Sequence, residues 1–134
     1  MDEQKSKGME IVREYSLKYY GKTLEAFEMF GRYLPEAMAQ WVELKKTLFA
    51  KPPIGALTLR EKELIAVAIQ IAARKPNVDL HTRKAMEAGA TVKEVAEVVG
   101  ICILLCGMMT FVESGQNSLK IAEEYANKFK NEAG

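Results

Sequence analysis

Apolar side chains recur at helical spacing along almost the whole of this 134-residue chain, and strand-like alternation persists nowhere. That feature confines the fold to packed helices, because a period of about 3.6 collects apolar groups on one helix face and cannot line a pleated sheet. A first amphipathic helix is predicted from about Glu3 to Tyr20, with Met9, Val12 and Tyr19 on its apolar side and Gly21 as its stop. A second helical stretch covers Leu24 to about Phe49, interrupted near Pro35, which has no amide proton for the helix ladder. Pro52, Pro53 and Gly55 make "AKPPIGA" a loop.

"TLRE" at 58–61 has the spacing of a capping box, in which Thr58 and Glu61 satisfy each other's exposed amides. The helix it opens, "LREKELIAVAIQIAARK", is apolar nearly all round and is therefore expected to be central. Pro76 is expected to end it, and Asn77 to cap the next helix, Val78 to about Ala88, which Gly89 terminates. "TVKE" at 91–94 is a second capping box and opens a long helix to about Glu113. "SGQN" reads as a break before a polar, amphipathic helix from Ser118 to about Asn131. With no repeat or linker, the expectation is an all-α single domain over 1–134, a bundle of six or seven helices.

An apolar fraction of 49% is ample for a core without disulfide staples or a structural metal. Lys+Arg 19 against Asp+Glu 18 leaves a balanced surface, and the basic pairs are scattered, which argues against a nucleic-acid partner. "MDEQKSKG" lacks the apolar core of a signal peptide. The longest apolar run, Val98 to Val112, is fifteen residues. A membrane span needs roughly 20, so a helix buried in a domain or an oligomer is the better reading. Cys102 and Cys106 lie inside that run, stacked on one helix face, which does not favour a disulfide. They read as packed core thiols, and the expected compartment is the reducing cytoplasm.

Chemistry is expected around the chain's one histidine. Glu63 and Gln70 are seven residues apart and share one face of an otherwise apolar helix. A carboxylate there is costly without a partner or a cavity. His81 follows in the next helix after a short Pro-Asn connection, so it can return to that face. Glu63 would then orient one imidazole nitrogen and leave the other to exchange a proton with a ligand. The alternative is a structural ion pair. One histidine and no paired thiolates make a zinc site unexpected.

The segment "LTLREKELIAVAI…HTRKAMEAGATVKEVAEV" resembles the carboxymuconolactone decarboxylase family, which includes the alkylhydroperoxidase D group; "LPEAMAQWVELKKTLF" suits the lead-in helix. The resemblance covers about residues 34–115, with helices 3–20 and 118–131 as flanking elements. It implies an all-helical fold assembled as trimers or hexamers, with the site between helices. The redox branch of the family carries a glutamate, then Cys-x-x-Cys, then a histidine four residues on. Glu63 and His81 match the outer two positions, but Arg74 and Asn77 stand where the cysteines belong. The spacing from Glu63 to His81 is also one residue short of that pattern.

A thiol-dependent peroxidase of this kind needs both an attacking and a resolving thiol, so that activity is disfavoured. The decarboxylase branch implies cofactor-independent, metal-free proton transfer on a small carboxylated lactone, with His81 as acid/base and Glu63 as its partner. Gln70, Asn77 and Arg74 are the candidate substrate-binding residues, and Lys75 and Arg83 are further cationic candidates for holding a carboxylate. A non-catalytic, ligand-binding oligomer is the alternative.

Overall fold

The computed structural model describes residues 3–133, with side chains described for 7–129. Among them there is no strand. The helices are α1 (Glu3–Tyr20), α2 (Glu25–Tyr33), α3 (Pro35–Leu48), α4 (Leu59–Ala72), α5 (Asp79–Glu87), α6 (Val92–Cys106) and α7 (Gln116–Ala133). A π-helical turn, Phe111–Gly115, leads into α7. The all-α expectation holds, at the upper helix count. The sequence suggested one domain; the chain groups into two compact units, one ending at Ala50 and the other starting at Lys51.

In the first unit the interruption at Pro35 resolves into two helices, with Pro35 at the start of α3. Its missing amide proton costs nothing there and its fixed φ suits a helix start. Met9, Val12 and Tyr15 of α1 bury against Met38, Ala39 and Val42 of α3. Gly31 on α2 leaves room for the end of the Met9 side chain, since a Cβ there would lie 2.2 Å from Met9 Sδ. An aromatic layer covers this core, with Trp41 edge-on to Phe27 at 5.2 Å and Tyr15 stacked on Tyr19 at 5.4 Å. Phe30 and Tyr33 stay largely exposed.

The second unit buries Val67 and Ile71 of α4 against Ala85, Met86, Val95, Val99 and Ala122. Both capping boxes form, Thr58 with Glu61 and Thr91 with Glu94. Other boundaries depart from the sequence reading. Helix α4 ends at Ala72 rather than at Pro76, because Arg74 turns left-handed at φ 58. The amides of Arg74 and Lys75 then bond back to the carbonyls of Ile71 and Gln70, the double closure of a Schellman motif. Gly89 performs the same turn after α5 at φ 100. Asn77 does not cap α5: the N-cap is Val78, which makes no side-chain cap bond.

Helix α6 stops at Cys106 instead of running on to Glu113, since Gly107 leaves the helix at φ 97. "SGQN" is no break. Ser114 and Gly115 form the end of the π turn and continue directly into α7. Gly115 suits this place, as a Cβ would come within 3.0 Å of Val99 Cγ1 and 3.6 Å of Ile71 Cγ2. Nor is α4 enclosed all round: Ile65 and Ile69 are 46% and 63% exposed. Only one of the two thiols is a core group, Cys102 being buried and Cys106 exposed.

In the first unit Arg13 grips Glu28 through Nε and Nη2, at 2.8 and 2.9 Å. The guanidinium's hydrogen bonds hold the Glu28 carboxyl below its ordinary value of 4.5. A depressed carboxyl stabilises the fold above its ordinary value and loses that contribution as pH falls through its own lower value. The pair is half exposed, so Arg13→Ala is expected to cost only about 0.2–1 kcal/mol at pH 7. Urea denaturation at stepwise lower pH should show the gap between parent and variant closing below 4.5.

Candidate functional site

Glu63 is the fifth residue of α4, one turn beyond the capping box that starts the helix. His81 is the third residue of α5. Their side chains meet at 2.7 Å, imidazole Nδ1 to Glu63 Oε2, with only 16% and 5% of the two side chains exposed. A carboxylate only accepts, so the proton of this bond belongs to Nδ1. In the neutral ring that leaves the lone pair on Nε2, where a proton can be taken up and returned.

The route to this contact differs from a simple hairpin. Glu63 lies nine residues before the end of α4, about 13 Å back along its axis. An adjacent helix entered by a tight turn would bring its first residues to Gln70. Instead the connection, residues 73–78, runs back along α4 and delivers the start of α5 to Glu63. Six residues reach at most about 20 Å, so the connection is long enough without being slack.

The candidate residues therefore separate. Glu63 and His81 come together. Gln70 sits two turns on along α4, with its amide oxygen buried and no hydrogen-bond partner. Arg74 and Asn77 are exposed on the connection, as is Lys75. Arg83 is within 3.7 Å of Asp79 on α5 and is spent on that exposed pair. Cys102 points at the Ala68 carbonyl, Sγ to O 3.5 Å, and burial pushes its thiol pKa up, with Cys106 adding to the rise. Among the described residues no three His, Cys, Asp or Glu side chains converge as a metal site would require.

The sequence reading missed the polar residues that hold the connection. Ser114 Oγ donates to the Lys75 carbonyl, and Asn117 Nδ2 donates to the Pro76 carbonyl at 3.2 Å. Ser118 and Thr82, both fully buried, share a hydroxyl bond of 2.7 Å between α7 and α5. The spacing 114, 117, 118 places all three on one helix face. That signal was visible, but "SGQN" suggested a loop.

The carboxymuconolactone decarboxylase family model matches residues 35–122. The chain belongs to that family. A Burkholderia xenovorans LB400 protein named for carboxymuconolactone decarboxylase has a similar structure, at TM-score 0.82 and 25% identity, covering 96% of this chain and 98% of its own. A carboxymuconolactone decarboxylase family protein from Legionella pneumophila, in its apo form, shares the fold at TM-score 0.64 and 23% identity, over 90% of this chain and 97% of its own. Among curated proteins none matches.

With one histidine in the chain, imidazole nitrogen NMR reports this pair directly. The neutral ring is expected to hold its proton on Nδ1. Removing the acceptor in Glu63→Leu should move a large share to Nε2, the tautomer that water favours. An unchanged nitrogen spectrum would mean that the two side chains do not meet.

Proposed function

We propose that this family member carries out cofactor-independent acid/base chemistry, by proton transfer or decarboxylation, on a small carboxylated lactone-like molecule. The observation that carries this reading is the largely buried 2.7 Å contact of Glu63 with His81. In a decarboxylation the bond to the carboxyl carbon breaks, CO2 leaves, and its electron pair enters the unsaturated ring. The protonated imidazole then delivers a proton from Nε2 to the ring carbon and regains one from water. Glu63 stabilises the imidazolium and fixes which nitrogen reacts. Gln70 offers an unmatched acceptor to a ligand's N–H or O–H group.

Arg74, exposed on the connection, is a candidate anchor for a substrate carboxylate. The same left-handed turn is made by glycine at position 89, whereas here the fold accepts an arginine at φ 58. Such positions cost about 1–3 kcal/mol and persist where something repays them. A thiol oxidoreductase finds no comparable support, since Arg74 and Asn77 occupy the cysteine positions and Cys102 is buried.

The reading is tested with a carboxylated muconolactone, following CO2 release. His81→Gln is expected to lower kcat by about 10²-fold or more. Equal rates in parent and variant would remove the mechanism. Arg74→Gly should raise KM while stabilising the fold by up to about 1 kcal/mol in thermal denaturation.

The non-catalytic alternative shares one element with this reading, assembly with further copies of the chain in the cytoplasm. No helix among the described residues is long and apolar enough to cross a membrane. Yet Leu104 and Leu105 are 80% and 76% exposed on α6 together with Ile101, and Met108 and Val112 beyond the helix are exposed as well. Fully covering a leucine contributes about 1.5–3 kcal/mol, so exposure of this kind favours a homo-oligomer, a trimer or a hexamer. Sedimentation should show parental assemblies, and Leu104→Glu combined with Leu105→Lys should release monomers. Parental monomers at micromolar concentration would refute the assembly.

A further inference from the structure

The connection between α4 and α5 passes two carbonyls to the element behind it. Ser114, itself fully buried, donates to the Lys75 carbonyl, and Asn117 donates to the Pro76 carbonyl at 3.2 Å. One turn further, Ser118 bonds to Thr82, the residue after His81, at 2.7 Å. These are three polar side chains from one face of the π turn and α7, spent on one hairpin. The cluster they adjoin is apolar. Stability alone would be served by apolar side chains at such buried places, since a hydrogen bond's net worth is small against the cost of leaving either partner unmet. What three directional bonds add is a fixed position.

That position matters because of how His81 reaches Glu63. The connection runs back along α4 between two fixed points: Arg74 closes α4 on itself, and Val78 is buried in the core but enters α5 without a side-chain cap. The residues between them, Lys75 to Asn77, are exposed and bring no packing of their own. We infer that Ser114 and Asn117 are positioning residues, which set the α4–α5 connection so that the His81 imidazole meets the Glu63 carboxylate through Nδ1. This rests on the reading of Glu63 and His81 as the reacting pair. Neither Ser114 nor Asn117 touches that pair; both act through the backbone that carries His81.

The experiment reads the imidazole tautomer of neutral His81 in the whole protein by nitrogen NMR. The variants are Glu63→Leu, Ser114→Ala, Asn117→Ala and Asn117→Asp, with Ala122→Gly as a destabilised control on α7 away from the connection. Asn117→Asp keeps the side chain's shape, but when ionised it cannot donate. Both Asn117 variants are expected to lose part of the Nδ1–H population, and Ser114→Ala more of it. The control should melt earlier yet keep the parental tautomer.

Parental tautomers in Ser114→Ala and in both Asn117 variants would overturn the proposal, and so would an equal loss in the control. Should Ser114→Ala fail to fold, the half-exposed Asn117 position decides alone. The reading beneath stands or falls separately: a parent already on Nε2–H, or a Glu63→Leu variant that does not move, ends the Glu63–His81 pair and this inference with it. Loss in Glu63→Leu without loss in the Ser114 and Asn117 variants ends only the inference.

Discussion

A carboxylate taken out of water dictates much of the second unit. Glu63 is 95% removed from solvent on its side chain, and a lone charge so placed costs several kcal/mol. A hydrogen bond from the His81 imidazole is one thing the fold offers in return, and it belongs to α5. The start of α5 must therefore lie beside the second turn of α4, and the chain spends residues 73–78 travelling back to put it there. The helix stop at Arg74, the bare N-cap at Val78 and the bonds from Ser114 and Asn117 follow from that return path.

The sequence made the helices legible because their signals are local. A capping box is four residues long, and Thr58–Glu61 and Thr91–Glu94 needed nothing beyond themselves. Pro35 announced a boundary through its own missing proton. Errors came where a residue's conformation depends on a distant neighbour. Arg74 carries no mark of left-handed backbone; the turn becomes apparent only when Lys75 is seen bound to the far side of the unit. Gly115 looked like a breaker because nothing nearby shows that Val99 and Ile71 press against it.

The candidate site was legible to the same degree. Glu63 and His81 were found because a charge on an apolar helix demands a partner and the chain has a single histidine to offer. Gln70 was grouped with them on helical phase, which gives the face but not the height along the axis. Phase repeats every two turns, whereas the contact is made at one height only, and the connection's path decides which. The separation of Cys102 from Cys106 has the same origin. Four residues apart they share a direction, yet one lies under α4 and the other beyond the edge of the core.

The return path divides this region into a part that is free to vary and a part that is not. Its length is metered by the distance between the end of α4 and the carboxylate, so an inserted or deleted residue would rotate the imidazole away from its partner. Its composition is not metered, because Arg74 to Asn77 all face outward. A scaffold with that division can be varied by substitution alone, at positions that leave the Glu63–His81 contact untouched.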